Sequence, residues 1–212
     1  MRELLVLLAA SLAVAAAGCG RKAVAPEAPP DDPLVAAKAV EPPVEPVTKP
    51  EPEPEPEPEP GLPEWIVDKP VLFDEEREAL SLQYAKDHYG LDDFHIVPRM
   101  VVVHWTAGKS WQGAFKTFNK AKLSGRPFLQ KYGQLNVAAH YLVARDGTVY
   151  KLLPDHVMGR HVIGLNHCAL GIENVGNDDL TAEQLESNVK LVEYLAGRHE
   201  SIEYLIGHYE YL

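Results

Sequence analysis

The chain is poor in cysteine, in basic charge and in long apolar runs, and each shortage excludes something. Its only cysteines are Cys19 and Cys168, so no multi-disulfide framework supports the fold. Lys and Arg number 20 against 31 Asp and Glu, a formal net charge of −11, and nothing in that balance argues for nucleic acid as a partner. The longest apolar run, from Leu4 to Ala17, is too short to cross a bilayer with ease. Proline is plentiful but confined: 14 of the 18 fall within residues 25–64.

These features divide the chain. Residues 1–18, with Arg2 in front of the apolar run and small residues behind it, read as a signal peptide. Ala16-Ala-Gly-Cys19 resembles the lipobox of bacterial lipoproteins. That resemblance implies cleavage before Cys19 and lipidation of Cys19, with multiple acyl chains giving a stable membrane anchor. Gly20 in place of Asp favours the outer membrane, so the expected location is the bacterial cell envelope, facing the periplasm. With Cys19 lipidated, Cys168 remains as one free thiol, expected to be a buried small residue. Residues 19–64 then form a linker. Its Pro/Glu tract ending at Glu59-Pro60 fixes φ, removes donors and repels itself, so the segment is expected to be extended and hydrated. At about 3.1 Å per residue, its proline-rich part over 25–64 reaches on the order of 120 Å. The domain proper is expected over 65–212.

Within that domain, Asp74 followed by Glu75 and Glu76 opens a helix that Gly90 closes. A strand is expected at 100–104 and a helix at 111–123. A hairpin follows, with strands at 137–143 and 148–153 about Asp146-Gly147. A further strand spans 169–174. Thr181 and Gln184 form a capping box for a helix whose apolar face reads Leu185, Val189, Val192 and Leu195. A last strand is expected at 202–206. Strands separated by helices, with one hairpin, indicate an α/β fold with a central mixed β-sheet flanked by helices.

Three strand-like runs end on residues that carry chemistry. Met100-Val-Val-Val runs into His104, Ala169-Leu-Gly-Ile into Glu173, and Ile202–Ile206 into Gly207-His208. Two imidazoles and a carboxylate at strand ends suit a zinc site with a general base.

The pieces carrying these residues are Val103-His104-Trp-Thr-Ala-Gly108, Ala139-His140-Tyr-Leu-Val-Ala-Arg-Asp-Gly147, Gly159-Arg-His161-Val-Ile-Gly-Leu-Asn166, Leu170-Gly-Ile-Glu173-Asn-Val-Gly176 and Ile206-Gly-His208. In this order they resemble the zinc amidase domain shared by AmpD-type enzymes, phage lysozyme-amidases and peptidoglycan recognition proteins. The resemblance implies an amidase-like fold in which His104 and His208 bind Zn2+. Glu173 matches the glutamate that acts as the base on water, and burial in its apolar strand is expected to raise its pKa. His161 falls near the substrate, Trp105 and Thr106 flank the first ligand and shape the cleft, and Asn166 positions a loop or the substrate. His140 is read either as substrate-lining or as a hydrogen-bonded structural residue. The other histidines (His88, His95, His156, His167 and His199) have no supporting context and read as surface or loop residues.

Two departures from the family pattern stand out. A tyrosine that other members carry before the hairpin histidine is Ala139 here, which shifts proton transfer onto Glu173. The family's third zinc ligand, Asp or Cys, lies about ten residues beyond the position of His208, whereas the sequence ends at Leu212. The expectation is therefore a C-terminally truncated fragment, with Glu210 as a weaker substitute ligand. The function implied is zinc-dependent hydrolysis of the amide bond between N-acetylmuramic acid and L-alanine, with peptidoglycan as substrate. The alternatives are a non-catalytic peptidoglycan-binding module and a structural wall-anchoring lipoprotein. Nothing in the sequence fixes an oligomeric state.

Overall fold

A computed structural model describes residues 61–177 and 179–211. The signal run, Cys19 and nearly all of the linker lie outside the described residues. Among those described, no helix is long and apolar enough to cross a membrane. Leu62 and Trp65 already pack against the main core.

The elements in chain order are β1 (Ile66–Asp68), α1 (Glu75–Tyr89), β2 (Met100–Trp105), α2 (Trp111–Phe118), α3 (Pro127–Gln130), β3 (Tyr141–Val143), β4 (Val149–Lys151), β5 (Ala169–Asn174), α4 (Ala182–Arg198) and β6 (Tyr204–Gly207), followed by a 3-10 turn over His208–Glu210. The strands form one sheet in the order β1-β4-β3-β5-β2-β6. Only β3 and β4 run antiparallel, so the sheet is mixed as expected. Gly147 turns the hairpin at φ +83°, and a Cβ there would lie 2.9 Å from both the Glu183 carbonyl and Ser187 Oγ. Both its φ and its surroundings require glycine.

The helix termini follow their sequence signals. Asp74 accepts a hydrogen bond from the Arg77 amide, three glutamates occupy the first turn of α1, and Gly90 ends it at φ +67°. Thr181 and Gln184 make the capping box of α4. The buried face of α4 differs from the one read in the sequence. Leu191, Val192 and Leu195 are buried with Gln184 and Asn188, whereas Leu185 is 40% exposed. The polar pair is tolerated inside because it is satisfied. Gln184 donates to the carbonyls of Val143 and Val175, and Asn188 exchanges hydrogen bonds with Asn174. Together they pin α4 to the ends of β3 and β5.

Other boundaries shift for similar reasons. α2 stops at Phe118 because the next residues are engaged by other parts of the fold. Arg77 donates to the Phe118 and Lys120 carbonyls, Asn119 Oδ1 accepts from the Leu72 amide, and the Ala121 carbonyl accepts from Asn136. The strand expected from 137 begins only at Tyr141, since the Ala138 amide bonds to the Arg160 carbonyl instead of a strand neighbour. β6 starts at Tyr204, after a turn in which Ile202 donates to the His199 carbonyl. β1 and α3 are too short to leave a periodic signal.

Val101 and Val103 of β2, Leu170 and Ile172 of β5, and Tyr141 and Val143 of β3 meet Leu191, Val192 and Leu195 of α4 in the main core. The alternate residues (Val102, His104, Ala169, Gly171, Glu173 and Leu142) face the other side of the sheet. Replacing Leu191 by Ala should lower stability by about 2–5 kcal/mol. Leu185→Ala should change it by less than roughly 0.5 kcal/mol. Urea denaturation checks both, and equal losses would show that α4 packs as the sequence pattern suggested.

Candidate active site

β2 and β5 pair in parallel with His104 directly across from Glu173, and β6 pairs on the other side of β2 with Gly207 opposite Val103. Register alone therefore brings His104, Glu173 and His208 to one end of three adjacent strands. Their side chains line a cavity of about 440 Å³. His104 Nδ1 lies 3.1 Å from His208 Nδ1, and His104 Nε2 lies 3.0 Å from His161 Nδ1. His161 enters on the loop between β4 and β5, where Val162 packs against Val102 and Ala169 on the same sheet face. Its Nε2 is 3.1 Å from the Ala169 carbonyl.

The cavity keeps its imidazoles neutral and favours a protonated carboxyl. Burial, with the neighbouring His208 adding to it, pushes His104 down to about 3. Burial, then His104 and His140, hold His161 well below the ordinary imidazole range, and burial lowers His208 as well. Glu173 moves the other way. Burial raises it to about 7 against the opposing pull of Arg126, and its Oε2 has no hydrogen-bond partner among the described residues.

This donor set fits zinc in part. Two neutral nitrogens 3.1 Å apart approach the separation of roughly 3.3 Å that ligands take around one tetrahedral zinc. His104 and His208 are therefore the residues able to hold it. His161 cannot share the same ion without rearrangement, because it meets the opposite nitrogen of the His104 ring. Among the described residues, no three His, Cys, Asp or Glu side chains converge as a complete metal site. Glu210, considered as a substitute ligand, instead accepts the Gly207 amide at 2.6 Å. It lies in a 3-10 turn, so it does not point with His208 as an extended H-x-E segment would require.

The remaining sequence candidates divide. Trp105 and Thr106 line the cavity. Thr106 Oγ1 also accepts from the amides of Gly108 and Gly176, tying the turn after β2 to the end of β5. Asn166 is buried at the cavity wall. Its Oδ1 accepts from the amides of His161 and Val162 and its Nδ2 donates to Tyr84, so it positions the loop. His140 needs a correction as a substrate-lining residue. It is fully buried and absent from the cavity wall, with Nδ1 accepting the Gly171 amide and Nε2 donating to the Val157 carbonyl. Cys168 is half-buried, its thiol raised by burial and donating to the Leu165 carbonyl.

Sequence reasoning missed Arg126 and Tyr211, which line the cavity from a loop and from the end of the described chain. Neither sits in a motif, so no local signal marks them. It also took His199 for a surface residue. His199 instead pairs with buried Asp155 at 2.8 Å, in a network with Lys151, Arg198 and Tyr141. Burial alone would raise Asp155, but the His199 hydrogen bond and Lys151 charge hold it well below the usual carboxylate range.

Residues 95–211 match the sequence model of a family described as N-acetylmuramoyl-L-alanine amidase. A 79-residue stretch is 30% identical to Peptidoglycan recognition protein 3 of Mus musculus and covers 37% of this chain and 23% of that protein. The match thus spans about a quarter of that relative's length. Among solved structures, the N-acetylmuramoyl-L-alanine amidase LysC from Clostridium intestinale URNW is similar at 23% identity. The alignment covers 68% of this chain and 83% of that one, with a TM-score of 0.46. The Drosophila peptidoglycan recognition protein SA is similar at 21% identity, over 55% of this chain and 70% of that one, with a TM-score of 0.43.

Because the folded state holds Glu173 protonated up to about pH 7, its contribution to stability falls as pH rises from about 4.5 to about 7. Glu173→Gln removes that dependence. The stability of the variant relative to the parent should therefore rise between about pH 4.5 and 8, read by denaturant titration of the metal-free protein. A difference independent of pH would mean an ordinary carboxyl.

Proposed function

Because the chain belongs to the N-acetylmuramoyl-L-alanine amidase family, as the match over residues 95–211 shows, we propose that it hydrolyses the amide bond between N-acetylmuramic acid and L-alanine in peptidoglycan. The observation that carries this reading is the convergence of two neutral imidazoles and one raised carboxyl in a single cavity. His104 and His208 are the residues that would hold zinc, which supplies Lewis acidity to the amide carbonyl and to water when bound.

The chain's own residues account for the proton. Glu173 lines the cavity, and its Oε2 is buried without a hydrogen-bond partner among the described residues. A carboxyl near 7 is about equally able to take a proton from water and to return it to a departing amine at neutral pH. Arg126 keeps Glu173 from rising further. Phe118, Leu129, Val137 and Val162 make much of the wall apolar, which limits water and strengthens each charge interaction inside.

A second reading is a module that grips peptidoglycan without cutting it. It rests on the 79-residue likeness to a peptidoglycan recognition protein. Purified sacculi incubated with the protein and zinc separate the two. The amidase reading expects release of stem peptides with a new alanine amino terminus, with Glu173→Gln lowering kcat by about 10²- to 10⁴-fold while sacculus binding is kept. Binding with no release above the Glu173→Gln background would favour the module.

The proposal extends to a lipid tether at Cys19, supported by the Ala16-Ala-Gly-Cys19 sequence. Bacteria fed a palmitate probe should label the parent protein, and Cys19→Ser should abolish the label. Labelling that persists in the variant would refute the tether.

A further inference from the structure

The contacts of His161 fix more than its own position. Its Nε2 lies 3.1 Å from the Ala169 carbonyl, which only accepts, so the ring proton sits on Nε2. Nδ1 is then a lone pair, and it lies 3.0 Å from His104 Nε2. A hydrogen bond there requires His104 to carry its proton on Nε2. His104 Nδ1 is left as a lone pair facing His208 Nδ1 at 3.1 Å. One backbone carbonyl thus determines the tautomers of two successive rings.

The surroundings are shaped to hold the first ring still. Gly171 lies within β5 with no left-handed φ, so backbone freedom does not account for it. A Cβ at Gly171 would lie 2.8 Å from His161 Cγ and 2.9 Å from its Nδ1. A Cβ at Gly159 would lie 3.2 Å from His161 Cδ2 and 2.8 Å from the Ala138 carbonyl. A strand glycine of this kind marks close approach by another group, here an imidazole. Asn166 fixes the His161 backbone, and His140 accepts the Gly171 amide directly beneath the ring.

We propose that His161 is a positioning residue that relays the Ala169 carbonyl to His104, so that His104 presents an unprotonated Nδ1 toward His208 before any metal arrives. The relay does not depend on the catalytic reading above, since it is a property of the metal-free chain. Its consequence for metal binding does rest on His104 and His208 being the ligands. Partners of this kind orient metal-binding imidazoles, and their loss typically lowers metal affinity by about 10- to 100-fold.

Two-bond 15N–1H correlation spectra of the metal-free full chain report the tautomer directly, without a variant. The relay expects His104 and His161 both as single Nε2–H tautomers; His104 protonated on Nδ1 overturns it. Zinc affinity, read by competition with a chelating dye, tests the consequence. His161→Ala should bind zinc about 10- to 100-fold more weakly. His161→Asn places an amide oxygen where Nδ1 stood and should recover most of that loss. Equal affinity in the parent and His161→Ala, or no recovery in His161→Asn, would overturn the role. If the parent binds no zinc while its tautomers are as expected, the relay stands and the ligand reading of His104 and His208 fails.

Discussion

The in-register parallel pairing of β2 with β5 is the constraint on which the site depends. It sets His104 across from Glu173, and β6 on the far edge of β2 delivers His208. Side chains alternate along a strand, so a slip of one residue would turn Glu173 toward the face covered by α4 and bring Ile172 into the cavity. The register is held from the face covered by α4. Leu170 and Ile172 are buried in the main core, and the Asn174–Asn188 amide pair ties the end of β5 to α4. The helix thereby locates a carboxyl on the opposite face of the sheet.

That placement has an electrostatic consequence. Burial acts in opposite directions on the two kinds of group, pushing the histidines down and the carboxyl up, so around pH 7 the imidazoles are neutral and the carboxyl is close to its midpoint. Neutral imidazoles are in the state that binds a metal, and a carboxyl near 7 can exchange protons with water. The same burial opposes acid and base differently. His104 withdraws stability as pH falls from 6.5 toward about 3, whereas Glu173 withdraws it as pH rises toward about 7.

The parts of this arrangement that were legible in the sequence are those written locally. Apolar runs ending on His104, Glu173 and His208, the Asp146-Gly147 turn and the Thr181 capping box each occupy a few consecutive residues and needed no knowledge of distant contacts. What was not legible depends on the folded chain. Gln184 and Asn188 look like a polar helix face until Val143, Val175 and Asn174 supply their partners. His140 could line a cleft or support a strand, and the Gly171 amide and Val157 carbonyl decide for support. Arg126 and Tyr211 reach the cavity from segments without a motif.

The central claim is that His104 and His208 together hold a single ion in the cavity that Glu173 also lines. Crystals of the protein soaked with zinc, with anomalous data on either side of the zinc edge, test it most directly. The account expects one anomalous peak within reach of both His104 and His208 in this cavity. A peak on His161, or none in this cavity at saturating zinc, would contradict it.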